Sequence, residues 1–145
     1  MGSLTLPATG SVNLDTSAII YSVERHEPYL TLLAPAWQGA AAGQFVIVCS
    51  ELVLAEALVQ PIRQENRYLE EMIRNVLAAP EVHLVPTTRQ VWEETARLRA
   101  ATGLKTPDAL HAITARQVAC ASFITNDSDF RRVEDLPVVI LDDLL

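Results

Sequence analysis

The chain alternates between short apolar runs and longer stretches whose apolar residues recur every three or four positions. "FVIVC" (45–49) has the unbroken β-branched character of a strand buried on both faces. "VHLVP" (82–86), "FIT" (123–125) and "VVIL" (138–141) read as further strands. So does "SVNLDT" (11–16), which contains Asn13 and is ended by Asp15 and Thr16. The spacing between these runs predicts helices over 17–25, over 28–43 with a stop at Gly43, and over 65–79. Another helix opens with Ser50 as its N-cap and meets Pro61, which is expected to end or kink it. A helix over 88–103 stops at Gly103, and a last one starts with Thr106 as N-cap and Pro107 in its first position. A turn with a short helical piece spans 127–134.

Strands that alternate with helices in this way predict a parallel sheet between helical layers. The expected architecture is a single-domain α/β/α sandwich with a central, mostly parallel sheet over 11–145, preceded by a flexible leader over 1–10. The sequence has no internal repeat, low-complexity segment or interdomain linker. In open sheets of this kind, ligands bind beyond the carboxyl ends of the strands. That rule makes the residues just after each strand the ones to inspect.

Composition narrows the function classes. Half of the 145 residues are hydrophobic and 20% are charged, which suits a globular domain with a sizeable core. No apolar run is long enough to span a bilayer, and the first residues lack the basic and apolar regions of a signal peptide. Cys49 and Cys120 lie in apolar contexts with no metal-ligand spacing, so both read as buried reduced thiols, which suits a cytoplasmic location. A net charge of −7 argues against a protein that coats nucleic acid non-specifically. It is compatible with an enzyme that concentrates acids in one cleft and binds a cation there.

Four acids fall where that cleft is expected. Asp15 closes the first strand and Asp127 follows "FIT"; each also suits a cap or turn. Asp129 shares the second of these turns. Asp108 sits in the first turn of a helix that is otherwise largely apolar, where its charge also complements the helix dipole. Glu56 is the one polar residue in "LVLAEALV" (52–59) and is expected to point into packed protein, where an unpaired carboxylate is costly. A salt bridge to an arginine is the plain alternative. If Asp15, Glu56, Asp108 and Asp127 converge, their mutual repulsion calls for a hard divalent cation, Mg²⁺ or Mn²⁺. Such an ion lowers the pKa of a bound water and stabilises the oxygens of a phosphoryl displacement. No cysteine or histidine cluster suggests zinc, and no glycine-rich loop suggests a nucleotide cradle. His111, one turn after Asp108, reads as a satisfied helix residue more readily than as a ligand.

"LDTSAIIYSVE", "SELVLAEAL", "GLKTPDALHAITA" and "FITNDSDF" together, in this order, resemble the PIN domain family, metal-dependent ribonucleases that include the toxins of VapBC-type toxin–antitoxin pairs. The third segment is the most specific match, and the likeness runs from about residue 11 to the end. The resemblance implies that Asp15, Glu56, Asp108 and Asp127 bind Mg²⁺ or Mn²⁺, with Asp129 as an accessory, while a water attacks an RNA phosphodiester. It implies that Thr16 or Ser17, and Thr125 or Asn126, orient carboxylates or waters. Arg25, Lys105, Arg131 and Arg132 lie near the motif ends and are the candidate phosphate contacts. A cognate antitoxin and a homodimer are the implied protein partners, with the "YLTLLAPAW" and "VWEETARL" helices as candidate interfaces.

Rival readings fare less well. A phosphotransferase with Asp15 as nucleophile would need a second Asp at plus two, which "LDTSA" lacks. A phosphorylated receiver domain would need an acidic pair by the first strand and a lysine after a late one, and Lys105 is the only lysine. A PIN-like module that binds RNA or a protein without cutting stays open, although the intact acid set argues against it.

Overall fold

The apolar runs of the sequence become the strands of one sheet. In the computed structural model, which describes residues 2–145, the chain runs β1 (Ser11–Leu14), α1 (Thr16–Val23), α2 (Tyr29–Ala41), β2 (Val46–Ser50), α3 (Leu52–Arg63), α4 (Arg67–Leu77), β3 (Val82–Val85), α5 (Arg89–Thr102), α6 (Thr106–Gln117), β4 (Ser122–Thr125) and β5 (Val138–Ile140). Two 3₁₀ turns, Ser128–Arg132 and Leu141–Leu144, follow β4 and β5. The strand order is β3-β2-β1-β4-β5 and every pairing is parallel. From the central β1 the chain builds outward through β2 to β3, then crosses back to lay β4 and β5 on the other side. The direction of winding therefore reverses between β1 and β4, the position at which open α/β sheets form a binding crevice.

The pleat sends alternate side chains to opposite faces. Val12, Leu14, Ile47, Cys49 and Ile124 join Ile19, Leu33, Val53 and Ile73 from α1 to α4 in one core cluster. Val48 and Phe123 join Val91, Leu98, Leu110 and Ile113 from α5 and α6 in the other. The result is three layers, with α1–α4 on one face of the sheet and α5–α6 on the other. Residues 2–10 form neither strand nor helix; Leu4 and Leu6 pack against the first cluster, and the Gly2 N–H donates to the Leu144 carbonyl at 2.6 Å. No helix of the described residues is long and apolar enough to cross a membrane.

Several helix ends differ from those expected. Pro61 does not stop α3, which continues to Arg63 with the proline buried inside it. The missing N–H removes one bond only, in the last turn, where its loss disturbs few others. Thr106 is not the N-cap of α6 but its first residue: Lys105 takes the cap position in an extended conformation, with no side-chain bond to the helix. Glu51 occupies the N-cap of α3, one residue later than expected, while the Ser50 hydroxyl accepts from the Leu52 N–H at 3.2 Å. At the first strand the ladder stops at Leu14, so Asp15 becomes the cap of α1.

Phe123 is fully buried on a central strand and lies 4.7 Å, centroid to centroid, from the Phe130 ring. Phe123→Ala is expected to destabilise the protein by about 3–5 kcal/mol. Urea unfolding checks this as a lower midpoint with an unchanged slope.

Candidate functional site

The β1–β4 register pairs Asn13 with Phe123 and Leu14 with Ile124, so the next residues along, Asp15 and Thr125, stand side by side at the carboxyl end of the sheet. The Thr125 hydroxyl donates to Asp15 Oδ2. Oδ1 accepts from the Ser17 hydroxyl at 2.7 Å and from the Ala18 N–H at 3.2 Å. Asp15 is thus a helix cap and a cleft residue at once. Its side chain is buried, which pushes the carboxyl up from its ordinary value, while the two hydroxyls and the Ala18 N–H oppose that rise without cancelling it.

Glu56 does not point into packed protein: its side chain keeps 32% exposure at the edge of the cleft. Its partner is not an arginine but His111, which is buried on α6 and brings Nε2 against Glu56 Oε1. The Thr16 hydroxyl donates to the same oxygen at 2.8 Å. Burial raises the Glu56 carboxyl, but the His111 bond and charge, with the Thr16 bond, outweigh it and hold the group below its ordinary value. Nothing in the local sequence of α3 or α6 announces this pair. The only hint is that His111 lies three residues after Asp108, a spacing that puts both on one side of a helix.

Asp108 occupies the first turn of α6, facing the other acids. Burial pushes its carboxyl up, as do the charges of Asp127, Glu56 and Asp129, while His111 pulls the other way. The Asp127 N–H donates to the Thr125 hydroxyl at 3.0 Å, and Asp127 Oδ1 caps the following 3₁₀ turn through the Asp129 N–H at 2.9 Å. Asp15, Glu56, Asp108 and Asp127 therefore line one cleft of about 220 Å³, together with Thr16, Ser17, His111 and Asn126. Asp129 stands outside that lining and pairs with Arg132 at 3.1 Å. Asn126 bridges the cleft rim to the last 3₁₀ turn: its Oδ1 accepts from the Asp142 N–H at 2.8 Å and its Nδ2 lies 3.2 Å from Asp142 Oδ1.

The candidate phosphate contacts are placed differently from the acids. Arg131 pairs with Asp143 and Arg132 with Asp129. Arg25 lines a separate groove of about 410 Å³, whose walls include Val23, Leu30, Trp37 and Met72. Lys105 is exposed at the N-cap of α6. Among the described residues no arginine or lysine lines the acidic cleft. Neither cysteine takes part; both are buried and free, with burial pushing Cys49 up to about 12 and Cys120 up to about 11.

The four carboxylates are hard oxygen donors, and the charges of Glu56 and Asp127 help raise the Asp108 carboxyl, a setting that suits a hard divalent cation. Among the described residues, however, no three Asp, Glu, His or Cys side chains stand close enough to enclose an ion together. The donors fit in kind, and closing on an ion would require side-chain movement.

The charge at Asp108 has a measurable sign. Below its ordinary value of 3.8 the carboxyl is protonated in both folded and unfolded chains; as pH rises through 3.8 the unfolded chain ionises first, and the folded protein loses stability until its own raised carboxyl ionises. In EDTA at pH 7, Asp108→Asn is therefore expected to melt no lower than wild type, with any gain vanishing as pH falls past 3.8. Thermal melts across pH check this; a variant that melts lower at pH 7 returns Asp108 to the role of a helix start.

The PIN domain family pattern matches residues 12–136. By sequence, no curated relative matches the chain. Among solved structures, VapBC2 from Rickettsia felis, bound to a DNA fragment from its promoter, is similar at 18% identity and a TM-score of 0.72, covering 90% of this chain and 98% of that one. A toxin–antitoxin complex from Klebsiella pneumoniae is similar at 22% identity and a TM-score of 0.61, covering 88% and 95%. FitAcB from Neisseria gonorrhoeae covers the same shares at 20% identity and a TM-score of 0.64. At these identities the structures speak to the fold, and the family pattern extends across both halves of the sheet and through all four acid-bearing segments. The chain belongs to the PIN domain family.

Proposed function

We propose that this protein is a Mg²⁺- or Mn²⁺-dependent endoribonuclease and the toxin of a toxin–antitoxin pair. PIN domains are generally nucleases. The observation that carries the finer reading is the single cleft at the β1–β4 switch point lined by Asp15, Glu56, Asp108 and Asp127. In this reading the four carboxylates hold the cation, with Asp129 in an accessory place. A bound divalent ion supplies Lewis acidity at an attacking water and at the phosphodiester. Ser17 and Thr125 keep both oxygens of Asp15 in a fixed orientation, and Thr16 does the same for one oxygen of Glu56. Without a cation the cleft repels a phosphodiester, so substrate binding is coupled to metal binding. Lys105 at the mouth of α6 and Arg25 are the candidate phosphate contacts that are exposed and make no salt bridge among the described residues; Arg131 and Arg132 are further candidates that already pair with acids.

A cognate antitoxin is supported by the toxin–antitoxin complex among the structural neighbours and by the acidity of the cleft. An arginine from such a partner would bring charge to the place of the cation. Homodimerisation is supported by exposed apolar side chains on one helix, Val59 and Ile62 of α3, with Trp92 of α5 as a second such site. A cytoplasmic location fits two free, buried thiols. The competing reading, a PIN module that binds RNA or protein without cutting, draws on the spacing of the acids, which leaves no three of them around one point among the described residues.

Purified protein is expected to cleave RNA with Mg²⁺ or Mn²⁺ and to stop in EDTA. Asp15→Asn and Asp108→Asn are expected to lower cleavage by orders of magnitude while remaining folded, because losing a ligand displaces the ion more than it disturbs the fold. Gel assays paired with melting curves check both points. Cleavage that persists in EDTA, with contaminating nuclease excluded, overturns the metal mechanism, and the absence of any cleavage with Mn²⁺ favours the non-cutting module. A pull-down from the native host is expected to recover a small co-encoded protein.

A further inference from the structure

We propose that His111 is a positioning residue: with Thr16 it fixes one oxygen of the Glu56 carboxylate, a group that lines the cleft, and leaves the other oxygen without a hydrogen bond. The inference rests on reading Glu56 as a ligand of the divalent ion, and goes beyond that reading by assigning His111 a task in it.

Three elements meet at this point. His111 Nε2 from α6 and the Thr16 hydroxyl from α1, itself 2.8 Å away, both approach Glu56 Oε1 from α3, and Thr16 Oγ1 lies 3.5 Å from the imidazole. The anchor and the anchored group are clear from burial: the His111 side chain is 5% exposed, whereas the Glu56 side chain keeps 32%. A glutamate so exposed would otherwise sample many rotamers, and the charge of Asp108 would drive it outward. Two donors on one oxygen remove that freedom. Among the described residues Oε2 accepts no hydrogen bond, so it remains available.

A simpler explanation is that a buried histidine only needs somewhere to bond. The same helix shows how a buried polar residue satisfies itself locally: the Thr114 hydroxyl donates to the Leu110 carbonyl one turn back, at 2.8 Å. His111 instead reaches across to another element, 55 residues away in sequence, and to a carboxylate of the acidic cleft. Its position three residues after Asp108 lets α6 supply one acid directly and orient a second. Partners that orient ligands in this way typically change metal affinity about 10–100-fold when removed.

The test is Mn²⁺ titration of the full chain by calorimetry, with melting curves in EDTA as the control for folding. His111→Leu is expected to weaken Mn²⁺ binding about 10–100-fold. His111→Gln, whose amide N–H reaches toward the same oxygen, is expected to recover most of that loss, a rescue that a merely structural role would not produce. Thr16→Val leaves the core untouched and is expected to weaken binding by a smaller factor, which keeps the proposal testable should His111→Leu fail to fold. Mn²⁺ affinity of His111→Leu within twofold of wild type, or no recovery in His111→Gln, overturns the proposal. Glu56→Gln separates the two layers. If it binds Mn²⁺ as wild type does, Glu56 is no ligand and both readings fall; if it loses binding while His111→Leu keeps it, only the positioning role falls.

Discussion

Strands β1 and β4 lie far apart in sequence, Asp15 and Thr125 being 110 residues apart, and their pairing has to close that whole intervening stretch before it gains a single ladder bond. Every feature of the cleft descends from that closure. It sets Thr125 beside Asp15, brings the turn containing Asp127 to the same edge, and leaves the crevice of the sheet between β1 and β4, where the strand order reverses. Contacts of such long sequence separation are slow to form. The β1–β2 and β2–β3 pairings span shorter stretches of chain.

Much of this was legible because it is local. Strand identity follows from β-branched runs, the layer order from their alternation with helices, and the acids from their places at strand ends and helix starts. What escaped is what depends on distant partners. Glu56 sits in an octet apolar on every side, which reads as deep burial; α3 in fact leaves that position at a cleft edge. His111 reads as an ordinary helix residue because its partner is on another helix. Pro61 and Thr106 mislead in a different way, through rules about helix ends that tertiary packing overrides by a residue or two.

Besides Glu56, which His111 holds, the acids are handled in two distinct ways. On the rim, Asp129 and Asp143 pair with Arg132 and Arg131. Inside, Asp15 is held by neutral donors alone, two hydroxyls and a backbone N–H. Neutral donors orient a carboxylate without cancelling its charge, whereas a guanidinium would do both. The cleft thus keeps a negative potential while its first acid stays ordered, at the expense of a carboxyl raised by burial. Sites that keep such repulsion trade some stability for binding.

Asn126 carries a narrower consequence. Its side chain accepts from the Asp142 N–H and donates to the Asp142 carboxylate, so it answers both poles of one residue at once. Tyr29 of α2 donates to that same carboxylate at 2.6 Å. Only a primary amide of this length offers an acceptor and a donor on one carbon. Aspartate would set two negative groups face to face, and leucine would leave the exposed Asp142 N–H to water. An amide at this position thus meets opposite polarities on one residue, and in doing so ties the rim of the acidic cleft to the chain that follows β5.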